Sequence, residues 1–432
     1  MDHRKTTRRE FGKITALAGI GFWSVTATTA RSSDSANSKL NIAVVGTARR
    51  GASNLKAVSE TENIVALCDI DDQLLGLASE KFPRAKTYND FRLMLEQKNI
   101  DAVVVSTPDH THAVAAIAAM KSDKHVYCEK PLAHSIHEAR VMRQIAEEQK
   151  VVTQMGNQLH ATNQLRQVVE FVRAGALGNV REVVTWSNKV FSGGDRPKEK
   201  PSVPSHIHWD LWLGPAPRRP YHTAYIPRNW RGWWDFGEGN FGDMACHIID
   251  APFWALDLNY PTTVSAEGPP VHPESAPPAL VVRYEFPARG KLPPVRFTWY
   301  DGAKAPPSHL IDGVKLPNQG ALFFGDNGTL LFTHGGGAQL LVDSKVVDFE
   351  YPEPSLPRVK SHHQEWITAC KTGSQAISNF AYGSVLTEVA LAGIVAYRVG
   401  KELQWDGPNA KATNCPDADR YIRPELQNGW KL

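Results

Sequence analysis

Residues 41–51 read NIAVVGTARRG, an apolar run followed by a turn with a glycine at each end. Such a run is typical of a buried parallel strand, and the glycines let the chain turn tightly into a helix. The pattern G-x-G-x-x-G at this place is typical of a dinucleotide-binding turn, but Ala48 takes the place of the middle glycine. The stretch therefore predicts either a nucleotide-binding turn with one extra methyl group or an ordinary strand–helix turn.

Four more apolar runs follow in the first half of the chain, and helix-length segments separate them: IVALC, DAVVVST, HVYCE and VVTQM. They predict an α/β fold with a Rossmann-type, doubly wound parallel sheet over residues 39–156 and a ligand at the carboxyl ends of the strands. Asp69 follows IVALC, 18 residues beyond Gly51. An acidic residue at this spacing accepts hydrogen bonds from a ribose 2′-OH and repels a 2′-phosphate, so it favours NAD over NADP. The alternative is a solvent-facing aspartate at the start of a helix.

The pattern changes from residue 157 onward. A helical segment, LRQVVEFVRAG, precedes alternating runs such as ALVVRYEF, VRFTWY and ALFFG. These runs predict a C-terminal α+β domain over residues 157–400 with a large open mixed or antiparallel sheet, followed by a C-terminal extension over residues 401–432.

Composition limits the classes of partner. The chain has 432 residues and a formal net charge of +3, and no run of Lys and Arg forms a stripe along it. We therefore expect no nucleic-acid partner, and a small molecule fits better. The five cysteines are scattered and include no C-x-x-C pair, which favours buried free thiols over a disulfide framework or a zinc site.

The N-terminus has the pattern of a targeting segment. TRREF at residues 7–11 precedes the apolar run ITALAGIGFWSV and small residues that end near Ala27 or Ala30. This resembles a twin-arginine signal peptide over residues 1–30, with a Ser-rich linker over residues 31–38. It predicts export by the twin-arginine machinery, a periplasmic location and no stable membrane insertion once the signal is removed. The alternative is a cytosolic chain with a chance Arg-Arg pair and a first helix.

Two stretches that follow strands carry candidate site residues. PDHTH at residues 108–112 has the H-x-H spacing of many metal sites, but no second cluster of His and carboxylate accompanies it, so we interpret it as lining the nucleotide cleft and predict no metal. Glu129-Lys130-Pro131 follows HVYC, and Pro131 restricts the backbone of Lys130 and so fixes where its side chain points. Lys130 is a candidate proton handler beside a nicotinamide, and a solvated lysine is the alternative.

A later helical segment pairs a carboxylate with a histidine. GEGNFGDMACHIIDAPFWAL at residues 237–256 places Asp243 and His247 four residues apart, so both side chains share one helix face. A histidine near a carboxylate is suited to accept a proton near neutral pH. A surface ion pair is the alternative interpretation.

Together these features resemble the glucose–fructose oxidoreductase, inositol dehydrogenase and MocA (Gfo/Idh/MocA) family. The resemblance runs from about residue 40 to residue 432 and rests on E-K-P, on the D-x-x-x-H helix, on WDG at residues 405–407 and on NGWKL at residues 428–432. It implies that Lys130, Asp243 and His247 are catalytic: His247 as acid/base, Lys130 holding the reacting oxygen and Asp243 positioning the substrate. Ala48 departs from the family pattern and puts cofactor affinity in question.

The resemblance also implies the remaining contacts and the assembly. The family's open sheet face mediates oligomers, so we expect a homodimer or homotetramer. The expected cofactor contacts are Gly46, Thr47, Ala48, Arg50, Gly51, Asp69, Thr107, Pro108, His112, Glu129, Lys130, Asn157 and Gln158.

An aromatic segment over residues 206–239 precedes the D-x-x-x-H helix. Aromatic faces pack against the C–H faces of a sugar, so its tryptophans as a group predict a carbohydrate-binding wall, although packing of a long loop is the favoured explanation for any single one. The five tryptophans are Trp209, Trp212, Trp230, Trp233 and Trp234. The expected substrate contacts are Trp230, Arg231, Trp233, Asp243 and His247.

Export narrows the expected chemistry, because little free nucleotide is available outside the cytoplasm. We expect an NAD-dependent oxidoreductase that acts on a sugar, polyol or glycoside with a tightly bound, recycled cofactor. One alternative is an NAD-dependent glycoside hydrolase that works by transient oxidation and elimination. A second is a non-catalytic sugar-binding protein on the same scaffold, and a third is a metal-dependent hydrolase.

Overall fold

A computed structural model describes residues 38–302, 306–307 and 314–432. The predicted signal peptide at residues 1–30, and all of the predicted linker except its final residue, lie outside the described residues. Residues Lys39–Leu432 form one compact unit.

Six parallel strands form the first sheet, in the order β3-β2-β1-β4-β5-β6. This confirms the predicted doubly wound α/β sheet, whose central strands are buried on both faces because helices cover each side. The third strand has only three residues and no apolar run, so the sequence analysis missed it. The strands are β1 (Asn41–Val45), β2 (Asn63–Cys68), β3 (Lys86–Tyr88), β4 (Ala102–Val105), β5 (His125–Glu129) and β6 (Thr153–Gly156).

Helices connect these strands, and their ends are defined by local hydrogen bonds. Ser135 and Glu138 form a capping box that satisfies free N–H groups at the start of the fifth helix. Asp71 accepts hydrogen bonds from two backbone N–H groups at the start of the second. The helices are α1 (Arg50–Ser59), α2 (Asp72–Lys81), α3 (Phe91–Met94), α4 (Asp109–Lys121) and α5 (Ile136–Gln149).

The second sheet is mixed and mostly antiparallel, as predicted. Its ten strands lie in the order β14-β13-β12-β11-β7-β10-β9-β8-β15-β16, and only β7 and β10 pair in parallel. The predicted C-terminal extension is part of this sheet, since β15 and β16 lie at its edge. The strands are β7 (Val180–Ser187), β8 (Thr263–Glu267), β9 (Val281–Phe286), β10 (Val295–Asp301), β11 (Gln319–Gly325), β12 (Gly328–Thr333), β13 (Ala338–Val342), β14 (Lys345–Val347), β15 (Leu403–Asp406) and β16 (Lys411–Ala412).

One long helix joins the two sheets. It contacts α5 and β6 of the first sheet region and β8 of the second. Its composition is apolar enough to cross a membrane, but 83% of the most apolar stretch is buried inside the protein, as in the core helix of a globular fold. The helices of this half are α6 (Asn163–Arg173), α7 (Trp209–Leu213), α8 (Gly239–Ile248), α9 (Asp250–Ala255), α10 (His362–Thr372), this long helix α11 (Phe380–Val399), and α12 (Asp419–Ile422).

The cysteines confirm the expectation of buried free thiols. All five are buried and unpaired. Burial raises the pKa of Cys128 well above its ordinary value and that of Cys246 to about 12, so both thiols stay protonated and unreactive at neutral pH.

Candidate active site

A cleft of about 830 Å³ opens at the carboxyl ends of β1, β2, β4 and β5. Its volume lies in the range of about 300–1,000 Å³ that is usual for small-molecule sites. The first sheet forms one wall, and the opposite wall comes from α8 and the segment over residues 189–231. The predicted site residues that line it are Gly46, Ala48, Arg50, Asp69, Thr107, Pro108, His112, Glu129, Lys130, Gln158, Trp230, Arg231, Asp243 and His247.

The glycine turn has the geometry of a nucleotide cradle. Gly46 has a φ of +83°, and a Cβ there would lie 2.8 Å from the carbonyl oxygen of Ser106. A Cβ on Gly51 would lie 1.9 Å from the carbonyl oxygen of Gly46, so this glycine allows α1 to pack on the turn rather than contacting a ligand. No side chain caps α1, and no acidic residue lies in its first turn. Its free N–H groups and positive dipole end therefore fit a pyrophosphate, with Ala48 at the cleft surface.

Asp69 lies at the end of β2 and faces the same cleft. Its Oδ2 accepts hydrogen bonds from the backbone N–H of Thr47 at 2.8 Å and from the Thr47 hydroxyl at 2.9 Å. Its Oδ1 accepts one from the backbone N–H of Asp71 at 3.1 Å. Thr47 thus holds Asp69 in place and does not itself line the cleft.

A closing segment, residues 423–432, contributes a cleft residue that the sequence analysis missed. Trp430 lines the cleft near Asp69, packs against Phe91 with ring centroids 5.7 Å apart and lies beneath the Arg92 guanidinium at 4.6 Å. Asn428 anchors the segment by donating to the carbonyl oxygens of Gly214 and Ala216 at 2.9 and 2.8 Å. In the sequence, NGWKL served only as evidence for the family resemblance. Its place in the cleft could not be predicted, because the residues it contacts lie more than 200 positions away in sequence.

We predict that Trp430→Ala weakens NAD binding about three- to tenfold. The substitution removes an aromatic face from the end of the cleft that holds Asp69, and such a contact contributes about 0.5–1.5 kcal/mol. Isothermal titration of the nucleotide-free protein with NAD measures the change. Trp430→Phe keeps an aromatic ring and is the matched control. Equal affinity of the alanine variant and the parent would contradict a role in binding.

Glu129 and Lys130 leave β5 in different directions. The Glu129 carboxylate is buried and accepts hydrogen bonds from Asn54 at 2.9 Å and from Gln158 at 2.7 Å. A Cβ on Gly156 would lie 2.7 Å from the Glu129 carboxyl carbon, so that glycine leaves room for the carboxylate. Glu129 therefore positions the end of the strand, and Lys130 reaches across the cleft.

Lys130 bridges the two walls of the cleft. Its Nζ donates to the Asp243 side chain at 2.8 Å and to the Asp243 backbone carbonyl at 2.9 Å. Arg231 donates from Nε to the same Oδ1 at 2.7 Å. Burial alone would raise the pKa of Asp243, but the positive charges of Lys130 and Arg231 outweigh it and hold that pKa well below its ordinary value. Asp243 is therefore a carboxylate at neutral pH, and Lys130 retains a third N–H for another oxygen.

His247 lies one helical turn beyond Asp243 and also lines the cleft. Burial lowers its pKa well below the ordinary value, and the nearby charge of Lys130 adds to this effect. Its Nδ1 has no hydrogen-bond partner among the described residues. The lowered pKa keeps the imidazole neutral at pH 7.

Besides Thr47 and Gly51, two predicted contacts do not line the cleft. Asn157 is fully buried, donates to Asp250 at 3.0 Å and accepts from Ser378 at 2.6 Å, so its side chain belongs to the core and not to the cofactor site. Trp233 does not line the cleft either. Its indole donates to the carbonyl of Ala224 at 3.2 Å, and the ring packs in a buried aromatic cluster. The side chains of Asn157 and Trp233 therefore point away from the cleft in which the sequence predicted their contacts.

Most tryptophans of the aromatic segment, residues 206–239, pack inside the protein and do not face the cleft. The five tryptophans are each buried, with 5–7% exposed surface. Trp209 and Trp212 stack with centroids 4.5 Å apart. Only Trp212 and Trp230 of the five face the cleft. The predicted carbohydrate wall is thus reduced to two rings and the Arg231 guanidinium, which lies 4.2 Å from the Trp230 ring centroid.

The H-x-H segment is held by backbone groups. The His110 Nε2 pairs with the carbonyl of Trp212 at 2.8 Å. His112 pairs with the carbonyls of Pro131 and Thr107, both at 2.8 Å. Among the described residues, no group of three or more His, Cys, Asp or Glu side chains is arranged to hold a metal ion.

Comparison with known proteins gives a consistent assignment for both halves of the chain. Residues 40–157 match the family model GFO_IDH_MocA, described as an oxidoreductase family with an NAD-binding Rossmann fold. Residues 161–432 match GFO_IDH_MocA_C2, the C-terminal alpha/beta domain of an oxidoreductase family.

Individual relatives match over shorter stretches. A glycosyl hydrolase family 109 protein of Solibacter usitatus is 35% identical over 202 residues, which are 41% of this chain and 44% of the relative. A myo-inositol 2-dehydrogenase of Thermotoga maritima is 34% identical over 144 residues, 32% of this chain and 42% of the relative. The matched stretches thus span less than half the length of these curated relatives.

The fold itself matches solved structures over nearly their whole length. The crystal structure of an aldose–aldose oxidoreductase from Caulobacter crescentus has a TM-score of 0.60 at 19% identity, covering 85% of this chain and 100% of that one. At this identity the likeness concerns the fold alone.

Proposed function

The chain belongs to the Gfo/Idh/MocA oxidoreductase family, and from this premise we propose that it is an NAD-dependent enzyme acting on a CH–OH group of a sugar, polyol or glycoside. The observation that carries the proposal is the meeting of Lys130, Asp243 and His247 in the cleft that begins at the glycine turn. Residues more than 100 positions apart converge there, with one ionised carboxylate, one ammonium and one neutral imidazole.

The cleft offers a place for each part of the cofactor. The N-terminus of α1 and Arg50 would hold the pyrophosphate, and Asp69 would accept the ribose hydroxyls and disfavour a 2′-phosphate. NAD, when bound, supplies the hydride acceptor that no protein side chain provides. Asp69 supports NAD over NADP, and comparing the affinities of the two nucleotides tests this preference.

The three catalytic candidates have distinct proton roles. The remaining N–H of Lys130 would hold the reacting hydroxyl oxygen and stabilise negative charge on it. The neutral His247 would accept the hydroxyl proton. Asp243 accepts hydrogen bonds from Lys130 and Arg231 at Oδ1, so its Oδ2 is left to orient a second substrate hydroxyl.

We predict that kcat/KM keeps more than half of its pH 7 value at pH 5.5. The folded pKa of His247 lies below the ordinary value, so the neutral base persists as pH falls and is lost only below that lowered pKa. A histidine with the ordinary pKa of about 6.5 would be only about one-tenth neutral at pH 5.5. The pH profile of kcat/KM, corrected for stability at each pH, gives the answer. A decline centred near pH 6.5 would contradict the assignment.

The proposal includes export and a retained cofactor. The twin-arginine pattern at residues 7–11 supports a periplasmic protein that carries NAD with it and restores it in each cycle. The test is to purify the mature protein without added nucleotide, unfold it and count the released nucleotide by mass spectrometry. About one NAD(H) per chain would support a closed cycle and justify a sugar screen without added cofactor. A protein that is empty and cannot bind added NAD would favour a non-catalytic sugar-binding role.

Glycoside cleavage by transient oxidation is the second candidate. It is favoured by one observation, the 35% identity to the family 109 glycosyl hydrolase of Solibacter usitatus over 202 residues. The same lysine and histidine would serve both reactions, since each needs proton transfer at a sugar hydroxyl. Aryl glycosides incubated with the purified protein, without added nucleotide, separate the two. Release of the aryl alcohol would favour hydrolysis, and oxidised sugar without release would favour the dehydrogenase.

A homodimer or homotetramer is also part of the proposal. The family resemblance is what supports this part, because the apolar side chains on one face of the second sheet, among them Trp186, Leu322 and Leu331, are already buried within the chain. Light scattering coupled to size-exclusion chromatography measures the mass in solution. A monomer at micromolar concentration would contradict this part of the proposal.

A further inference from the structure

The substrate half of the cleft contains more positive than negative groups. The described charged residues that line the cleft around Lys130 are the cations Lys130, Lys189, Arg228 and Arg231 and the carboxyl groups of Asp109, Glu129 and Asp243, of which Glu129 accepts hydrogen bonds from Asn54 and Gln158. Two of these cations, Lys130 and Arg231, share the single Oδ1 of Asp243. The negative charge of Asp243 is therefore already matched before any substrate enters.

Asp109 does not balance the remaining cations. It is the first residue of α4 and is 4% exposed. Burial raises its pKa to about 8, although Arg231 and Lys130 act in the opposite direction. No described cation lies within ion-pair distance of it, and it is mostly neutral at pH 7.

Lys189 and Arg228 are thus cations without a carboxylate partner among the described residues. Lys189 lies two residues beyond the end of β7, and its Nζ contacts the sulfur of Met244 at 3.3 Å. The Arg228 guanidinium lies 5.6 Å from the ring centroid of Phe191. Partial burial lowers the pKa of Lys189, the negative charge of Asp243 raises it, and the positive charges of Lys130, Arg228 and Arg231 lower it. Lys189 and Arg228 both remain exposed at the protein surface, and an anion placed between two such cations would offset their mutual repulsion.

We propose that the substrate carries an anionic substituent, a carboxylate or a phosphate, and that Lys189 and Arg228 bind it. The inference rests on the proposed function, since it names the class of sugar that occupies the same cleft. Arginine forms paired hydrogen bonds with carboxylate and phosphate, and lysine adds a compact charge. His334 links the two ends of this region: its ring centroid lies 5.7 Å from that of His247, and burial, together with the charge of Lys189, lowers the pKa of His334 to about 4. The reacting hydroxyl can therefore sit near His247 while the anion points toward β7.

The first test is binding to the NADH-loaded protein, measured by isothermal titration. The probes are glucuronate, galacturonate and mannuronate, the three matching neutral hexoses and the three hexose 6-phosphates. We expect at least one acid or phosphate to bind ten- to a hundredfold tighter than its neutral counterpart, as charge-assisted hydrogen bonds predict. The anionic series that binds more tightly, the uronates or the hexose 6-phosphates, identifies the anionic group. Neutral hexoses that bind as tightly as every anionic counterpart would overturn the proposal.

The second test asks whether Lys189 and Arg228 cause the preference for anionic sugars. Lys189→Gln and Arg228→Gln should each reduce the ratio of anionic to neutral affinity about tenfold. Lys198→Gln, an exposed lysine that does not line the cleft, should leave the ratio unchanged. If both cleft variants kept the parent ratio, the assignment to Lys189 and Arg228 would be wrong.

These outcomes are separable from failure of the proposed function. Oxidation of neutral sugars with no anion preference would refute the anion site and leave the oxidoreductase in place. Conversely, tight anion binding in a protein that never binds NAD would keep the anion site and refute the oxidoreductase.

Discussion

Lys130→Gln is expected to lower kcat about 10²- to 10³-fold on whichever sugar the substrate screen identifies. The glutamine can still donate to Asp243, but it cannot stabilise negative charge on the reacting oxygen, and a single such donor is worth this much in enzymes that stabilise an oxyanion. Steady-state kinetics gives kcat, and titration with NAD shows whether cofactor binding survives. Since Arg231 still pairs with Asp243, the buried carboxylate keeps a cationic partner in the variant.

The matched control for this variant is Lys56→Gln, because Lys56 is an exposed lysine of α1 outside the cleft. It should retain parental kcat. Turnover of Lys130→Gln within threefold of the parent, in a protein with an unchanged melting temperature, would remove Lys130 from the catalytic set.

Gly51→Ala is expected to destabilise the protein by about 3 kcal/mol and to lower NAD affinity at least tenfold. The new Cβ would lie 1.9 Å from the carbonyl oxygen of Gly46, far inside van der Waals contact, so α1 must move away from the turn. Overpacking of this kind usually costs about 1–3 kcal/mol, and here the displaced element also presents the N–H groups for the pyrophosphate. Urea denaturation and nucleotide titration measure the two effects.

Gly76→Ala supplies the comparison in a neighbouring helix. Gly76 lies inside α2, and a Cβ there would meet no atom within 4 Å. This variant should be neutral or more stable by up to about 1 kcal/mol, because alanine favours helix over glycine. Similar stability of the two variants would mean that Gly51 is not required for packing of α1.

The sequence was sufficient to predict the first sheet and the meeting of site residues at its carboxyl edge. Long Val/Ile runs predicted five of the six strands, and parallel strands necessarily bring their carboxyl ends together, so the turn at residue 46 and Lys130 had to share one edge. The helical spacing of Asp243 and His247 predicted their common face correctly. The three-residue β3 was missed because it contains no apolar run.

The directions of individual side chains could not be predicted from local sequence patterns. Asn157 follows β6 in sequence, yet it turns into the core because Asp250 and Ser378 offer it hydrogen bonds there. Trp230 and Trp233 are three residues apart, and only the first faces the cleft. Both outcomes depend on partners remote in sequence, which neither periodicity nor composition encodes.

The closing segment has a consequence for how the protein is made. Phe91 and Asp69 leave the ribosome early, whereas Trp430 follows them by more than 300 residues. The first sheet can fold as soon as its own strands have been synthesised. The nucleotide cleft, however, acquires its Trp430 wall only once residue 430 has emerged. A nascent chain that ends before Trp430 therefore has a nucleotide cleft that lacks this wall.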